Sequence, residues 1–326
     1  MVERTPPTAM PAGDDLTGMI RSFVQRVEDL NISHLLIAQR WWGNGEEIEG
    51  SSLDCLAMTA WFAALTSKVK LITAVHPGFF QPSAIAKWGA TIDRLTNGRW
   101  GINVTSGWNL AEFEMYGIDA LSHDERYQRS AEFIEVMRAA WAGKSSYRGA
   151  FYQTSDLDME PRPTAALEIF QGGQSDSAIA MAAEHSDWMF LNGGPPEKIE
   201  GIINKVRSAA NARGRTVRFA LYAAPVCRAT TDAAWDEINA KLSQVDADLV
   251  RKRRLRVDGA QGMWADTNDP LSALDTNEGY ASRLIGSPQE IVRRAREFQQ
   301  MGVDMLHLDI RDKLFVAEAL PAIQAF

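Results

Sequence analysis

The sequence of 326 residues contains only two cysteines and no apolar run approaching the roughly 18 residues that cross a membrane. Cys55 and Cys227 are too far apart to define a disulfide framework or a metal-binding spacing, so we expect two small core residues in a reducing cytoplasm. The segment Met1–Asp15 lacks the apolar core of a signal peptide. Positive charge is not in excess, because 34 Lys and Arg stand against 42 Asp and Glu, and the net charge of −8 argues against nucleic acid as a partner.

Several catalytic signatures are also missing. The sequence has no metal-binding triad, no nucleophile elbow, no Walker loop and no obvious glycosidase pair of carboxylates. The basic run Arg251–Arg256 fits a phosphate-binding patch or a solvated helix end, and the second interpretation is favoured. A protein without strong acid–base groups of its own often relies on a cofactor for the difficult chemistry.

Short apolar runs alternate with segments of helical period along most of the chain, which predicts βα units and a parallel sheet. The predicted strands are His34–Gln39, Val69–His76, Trp100–Thr105, Leu167–Gln171, Trp188–Asn192, Val217–Val226 and Met305–Ile310. The predicted helices are Asp15–Leu30, Leu53–Ser67, Pro82–Leu95, Glu125–Trp141, Ser175–Glu184, Pro196–Arg213, Ala233–Arg256, Pro288–Met301 and Lys313–Gln324. The pattern and the length predict one α/β domain over residues 1–326, a (β/α)₈ TIM barrel.

A closed barrel needs eight strands, and only seven are visible. Residues 1–14 are irregular and polar, so the first strand is missing or degenerate, unless a weak segment such as Val2–Thr5 supplies it. An unpaired edge of this kind favours self-association, and we expect a homo-oligomer. Two further segments interrupt the alternation: Tyr147–Pro163 is an excursion before the next strand, and the long loop Asp258–Gly279, anchored by Met263-Trp264, is a predicted lid.

Polar residues gather where predicted strands end. Asn103, Thr105 and Ser106 follow an apolar strand, and His76 ends another. Side chains at the carboxyl ends of barrel strands project into one pocket, which favours a site, although a simple turn or a structural histidine explains each residue taken alone.

Two features are suited to a phosphate group. Gly172 and Gly173 precede a helix that opens near Ser175, where free N–H groups favour an anion, although Ser175 is equally an ordinary N-cap. Arg126 and Tyr127 near the start of another helix offer a guanidinium and a phenol, unless Arg126 belongs to a surface ion-pair cluster. Together with many aromatic residues, these features suit a flat phosphorylated cofactor.

At these motifs the chain resembles the bacterial-luciferase-like, FMNH₂-dependent monooxygenases, nearest the dimethyl sulfone and pyrimidine monooxygenase branches. The resemblance runs from about His34 to the C-terminus. It rests on Ala74–Gly78, Gly98-Arg99, Gly101–Val104, Gly107-Trp108, His123–Tyr127, Ile169–Gly173, Ser186–Trp188, Asn192-Gly193, Gly262–Ala265 and Leu284–Pro288.

The resemblance implies that reduced FMN binds at the barrel mouth and that one oxygen atom of O₂ passes to a small organosulfur or nitrogen-containing substrate, with a sulfone or sulfonate favoured. It implies that His76 and Asn103 are catalytic, Asn103 near the oxygen-reacting face and His76 orienting the substrate or the activated oxygen. The implied flavin-binding residues are Ile37, Ala38, Asn103, Glu112, Arg126, Tyr127, Gly173 and Ser175. The family's N-terminal strand and the loop after it are not visible here, and Trp41–Gly50 diverges, so the residues that define substrate shape differ.

The resemblance also implies partners. A separate NAD(P)H:flavin reductase would supply the reduced FMN to a cytoplasmic enzyme, with no metal, nucleic acid or membrane involved. Two alternatives stay open: a deazaflavin (coenzyme F420)-dependent oxidoreductase, and a non-catalytic flavin-binding protein with a truncated barrel.

Overall fold

The computed structural model describes residues 10–41, 52–248, 250–251, 269–275 and 277–326. They fall into two compact units, the first ending at Gln171 and the second beginning at Gly172, and each is described by itself. None of the described helices is both long and apolar enough to cross a bilayer. Cys55 and Cys227 are both buried, as expected for core residues, and burial raises the pKa of the Cys55 thiol to about 12.

The first unit has five helices and six strands among its described residues. The helices are α1 (Gly13–Asp29), α2 (Cys55–Leu65), α3 (Pro82–Thr96), α4 (Leu110–Met115) and α5 (His123–Ala142). The strands are β1 (His34–Ile37), β2 (Lys70–Val75), β3 (Trp100–Val104), β4 (Ser145–Arg148), β5 (Gln153–Leu157) and β6 (Glu168–Gly172).

Four of these strands form a parallel sheet in the order β1-β2-β3-β6. The residues of β3 are all buried, as are those of β2 after its first residue, which explains why both read as continuous apolar runs. The pairing of Ala74 with Asn103, and of Asn103 with Phe170, aligns the carboxyl ends of β2, β3 and β6. This alignment brings the residues that follow β2 and β3 to one edge of the sheet.

Gly89 of α3 makes room for the buried indole ring of Trp100, the first residue of β3. A Cβ on Gly89 of α3 would lie 2.2 Å from the indole ring of Trp100. Trp100 is fully buried, and its Nε1–H donates to Thr73 Oγ1 at 3.0 Å. The glycine therefore allows α3 to approach β3 closely.

We expect Gly89→Ala to lower the free energy of unfolding by about 1–3 kcal/mol, because the indole must move within a packed core. Urea denaturation measures this change. Gly201→Ala on an exposed helix position, where an added Cβ meets nothing within 4 Å, is the matched control and should stabilise the protein by up to about 1 kcal/mol. Equal effects of the two substitutions would contradict the packing argument.

The second unit also contains a parallel sheet. Its strands are β7 (Trp188–Leu191), β8 (Arg218–Ala223), β9 (Val226–Cys227), β10 (Ile285–Gly286) and β11 (Met305–Leu308). Its α-helices are α6 (Asp176–His185), α7 (Pro196–Asn211), α8 (Thr231–Ser243), α9 (Pro288–Met301) and α10 (Leu320–Ile323), with 3₁₀ helices at Pro270–Ala273 and Gly279–Ser282 and a π-helix at Phe315–Ala319. Strands β7, β8 and β11 pair in parallel in that order, and β9 pairs separately with β10.

All seven strands predicted from the sequence are confirmed; six are shorter than predicted, and β6 is shifted by one residue to Glu168–Gly172. The predicted helix Ala233–Arg256 is wrong in extent: α8 begins at Thr231 and ends at Ser243, and Arg256 lies outside the described residues. The sequence prediction missed α4, the antiparallel hairpin β4–β5 and the β9–β10 pair. Val2–Thr5 and Met263-Trp264 lie outside the described residues, as does most of the predicted lid, so the missing strand, the lid and the single domain stay predictions.

The hairpin β4–β5 is fastened to α5 by one carboxylate. Glu132 accepts hydrogen bonds from three consecutive backbone N–H groups, those of Ala150, Phe151 and Tyr152, at 2.7, 2.8 and 3.1 Å. The helix itself begins at His123 behind a capping box formed by Ser122 and Glu125. These contacts fix the position of Tyr152, which is buried.

Candidate active site

Asn103 lies near the carboxyl end of β3 with its side chain buried. Its Oδ1 has no hydrogen-bond partner among the described residues, and its Nδ2 makes only a long contact of 3.4 Å to Thr105 Oγ1. The neighbouring Ser106 hydroxyl pairs instead with Ser130 Oγ at 2.9 Å. An amide carbonyl that is buried without a donor is costly, so the unpartnered Oδ1 makes Asn103 a candidate site residue.

His76 follows β2 beside this amide. Its backbone N–H donates to Gln39 Oε1 at 2.9 Å, and its Nδ1 lies 3.8 Å from Glu112 Oε2 without a hydrogen bond. Burial, together with the positive charges of Arg40 and Arg129, lowers the pKa of His76 to about 4. The imidazole is therefore neutral near pH 7, with one ring nitrogen free to meet a ligand.

Glu112 is buried on α4, a helix that the sequence prediction missed. Its Oε1 accepts the backbone N–H of Trp41 at 3.1 Å. The Trp41 indole stacks on Phe79 at a centroid distance of 4.9 Å and an interplanar angle of 5°, and Tyr116 Oη donates to the Trp41 carbonyl at 2.7 Å. The carboxylate thus holds an aromatic wall next to His76.

The remaining predicted residues of the first unit lie on β1 and α5. Ile37 is the buried last residue of β1, and Ala38 follows it with its side chain exposed. Arg126 is buried, and its guanidinium donates to the carbonyls of Gly107 at 3.2 Å and Leu121 at 2.8 Å. Tyr127 lies next to the ring of His123, with the two centroids 5.0 Å apart. Arg126 therefore fastens two loops as well as presenting a cation.

Gly173 and Ser175 belong to the second unit. Gly173 has a φ of +129°, which only glycine adopts readily, and Ser175 caps α6 by accepting the backbone N–H of Ala178 at 3.3 Å. Ser175 is therefore an N-cap, the alternative left open from the sequence, and its phosphate role stays a prediction. The Oε1 of Gln174 between them is buried without a hydrogen-bond partner among the described residues.

The structure therefore brings His76, Asn103 and Glu112 to one sheet edge and places Gly173 and Ser175 at a helix start in the other unit. Sequence reasoning missed two buried polar groups near His76. Gln39 Nε2 has no hydrogen-bond partner among the described residues, and the same is true of Nε and Nη2 of Arg129. No sequence signal marks these residues, because their isolation depends on which side chains pack around them.

Comparisons with known proteins identify the family. The model of the luciferase-like monooxygenases matches residues 5–305. The chain belongs to this family. It is 35% identical over 320 residues to an FMNH₂-dependent dimethylsulfone monooxygenase of Pseudomonas fluorescens (strain Pf0-1), covering 93% of this chain and 86% of that protein.

A second relative is the pyrimidine monooxygenase RutA of Serratia proteamaculans (strain 568), 30% identical over 292 residues, which are 85% of this chain and 78% of the relative. Among solved structures, the long-chain alkane monooxygenase LadA superposes with a TM-score of 0.78 at 18% identity, covering 94% of this chain and 83% of that one. The predicted fold class, a barrel of the luciferase-like type, is confirmed by this agreement.

Proposed function

We propose that this luciferase-like protein is a two-component monooxygenase, which takes reduced FMN from a separate reductase and uses O₂ to oxidise a small organosulfur or nitrogen-containing compound. The names of the relatives at 35% and 30% identity support this assignment. The observation that carries it in the structure is the buried amide of Asn103, whose carbonyl has no donor among the described residues.

The residues at this sheet edge fit the polar rim of an isoalloxazine ring, which offers both N–H donors and carbonyl acceptors. Asn103 Oδ1 provides an acceptor and Gln39 Nε2 provides a donor. The stacked pair of Trp41 and Phe79 gives the apolar wall that a flat ring requires. We assign Ile37, Ala38 and Glu112 to the same ring, the first two through their backbone.

Bound reduced FMN would supply the two electrons with which O₂ is split, so that one oxygen atom passes to the substrate and the other leaves as water. The protein would bind the flavin and the substrate, orient them towards each other and exclude water from the site. Asn103 fixes the ring through its amide. We assign the neutral His76 to the substrate, and Glu112 holds Trp41 in place by accepting its backbone N–H.

We propose two sets of residues as ligands of the FMN phosphate, and each set is supported by a separate observation. In the first unit these are Arg126 and Tyr127, because a buried guanidinium binds phosphate strongly. In the second unit these are Gly173 and Ser175 at the start of α6, where backbone N–H groups favour an anion.

We expect Arg126→Ala to weaken the affinity for reduced FMN by about 10- to 100-fold, because a charged hydrogen bond to the phosphate is lost. Anaerobic fluorescence titration measures the dissociation constant. Reduced riboflavin, which has no phosphate, should bind the variant and the parent equally, and Arg148→Ala at an exposed position is the control. Equal losses for both flavins would show that the arginine acts by fastening its loops instead.

The proposed reaction is tested by O₂-dependent turnover with a flavin reductase, using dimethyl sulfone, methanesulfonate and uracil as substrates. Product formation that depends on all components supports the proposal. Titration with reduced FMN and with reduced coenzyme F420 distinguishes the deazaflavin alternative. Binding of FMN with no O₂ consumption above that of free reduced FMN would favour the non-catalytic alternative.

Cytoplasmic localisation and self-association remain part of the proposal. Met19, Phe23 and Trp61 of α1 and α2 are exposed at 62%, 42% and 43%, which is apolar surface suited to a second copy of the chain. A monomer peak in light scattering at micromolar concentration would contradict a homo-oligomer.

A further inference from the structure

Arg129 of α5 is a buried cation without a counter-ion in the part of the chain that the structure describes. Its residue is 6% exposed, and neither Nε nor Nη2 has a hydrogen-bond partner. The guanidinium lies over the ring of Phe113, 5.3 Å from its centroid. Burial lowers the pKa of this guanidinium, and Tyr152 and, from beyond ion-pair distance, Asp119 counteract this.

A second unpartnered donor lies beside it. The Tyr152 hydroxyl is buried next to Arg129, near the backbone of Gly78 but outside hydrogen-bond geometry. Helix α5 positions both side chains, since Arg129 is part of that helix and Glu132 of the same helix accepts the backbone N–H of Tyr152. Two donors in one place, with no acceptor among the described residues, are complementary to an acceptor that carries negative charge.

Gly78 allows the guanidinium of Arg129 to pack against the backbone. It has a φ of +107°, and a Cβ there would lie 2.7 Å from the guanidinium carbon of Arg129. Gly78 comes two residues after His76, and the charge of Arg129 acts on His76. The guanidinium of Arg129 therefore lies close to His76, the residue after β2 that we assign to the substrate.

An isolated buried charge costs several kcal/mol, and a cation–π contact with one phenylalanine offsets only part of this. We propose that Arg129 and Tyr152 bind an oxyanion group carried by the substrate, such as a sulfonate, a sulfinate or a carboxylate. The identification of the ligand as the substrate rests on the proposed monooxygenase function. The preferred substrate is then an acid, unlike the neutral sulfone in the name of the Pseudomonas relative.

Calorimetric titration of the flavin-free protein tests this site without any turnover. Methanesulfonate should bind at least 10-fold more tightly than dimethyl sulfone, which has the same methyl–sulfonyl core without the charge. Arg129→Gln should weaken methanesulfonate binding by about 10- to 100-fold and leave dimethyl sulfone binding unchanged. Tyr152→Phe keeps the shape of the ring and should weaken methanesulfonate binding by about 3- to 10-fold.

The controls separate the other sources of an oxyanion. Arg148→Gln, at an exposed position, should change nothing. Sulfate that binds as tightly as methanesulfonate would point to a free inorganic anion and overturn the substrate assignment. A loss of FMN affinity in Arg129→Gln, with riboflavin affinity retained, would assign the cation to the cofactor's phosphate and overturn it as well.

If Arg129→Gln does not fold, Tyr152→Phe still tests the proposal, because this substitution removes one oxygen atom and leaves the ring unchanged. Unchanged methanesulfonate binding in folded variants overturns the proposal. The proposed function fails separately, when the protein binds methanesulfonate as expected but oxidises no compound of the substrate panel.

Discussion

We expect Asn103→Ala to lower kcat by about 10²- to 10³-fold, the loss that follows removal of a single polar group positioned for the reacting centre in other enzymes. The amide is buried near the end of β3, and its Oδ1 has no partner among the described residues, which is why we propose that it binds the ligand. The measurement is single-turnover oxidation of substrate with pre-reduced FMN, which separates chemistry from flavin supply.

Two further variants sharpen this test. Asn103→Asp keeps the shape and an acceptor oxygen but introduces a buried negative charge, and should lose activity to a comparable degree. Thr105→Val removes only the hydroxyl that Asn103 Nδ2 approaches at 3.4 Å, and should cost less than 10-fold. If Asn103→Ala retained wild-type turnover with an unchanged unfolding midpoint, Asn103 would have no role at the reacting centre.

The second large effect is on stability in acid. The pKa of His76 is lowered from 6.5 to about 4 in the folded protein, chiefly by burial. Between these pH values the unfolded chain binds a proton that the folded chain does not, so the free energy of unfolding falls as the pH decreases. We expect His76 to contribute about 3 kcal/mol of this loss, since one pKa unit corresponds to about 1.4 kcal/mol.

Urea denaturation at intervals between pH 7 and pH 4 measures this effect. His76→Gln should flatten the curve by about 3 kcal/mol across the window, while above pH 7 the two curves should run parallel. His307 of the second unit, whose pKa burial also lowers to about 4, should add a separate loss in the same range. Curves for His76→Gln and the parent that stay parallel down to pH 4 would refute the buried neutral imidazole.

The strands were predictable because their pattern comes from burial on both faces, as in β2 and β3. The hairpin β4–β5 was not predictable, because its strands contain few apolar residues and show no clear apolar–polar alternation. Its position also depends on Glu132, about 20 residues earlier in the chain. Helix α4 has only six residues, too few to show a period. The predicted helix from Ala233 to Arg256 ignored the break after Ser243, which no glycine or proline marks.

The site shows the same division. Asn103 lies near the end of β3 and His76 follows the adjacent strand β2, so the rule that strand ends converge was enough to associate them. Gln39 and Arg129 carry no local signal, and their unpartnered atoms result from packing that only the folded chain has. Arg126 was predicted as a phosphate ligand, but its bonds to the carbonyls of Gly107 and Leu121 are tertiary contacts that no spacing predicts.

Glu132 lies one helical turn after Arg129 and accepts the backbone N–H of Tyr152. The hairpin therefore depends on the helix for its anchorage: a mutation that removes this carboxylate leaves three consecutive backbone N–H groups without their acceptor and loosens the phenol together with the hairpin.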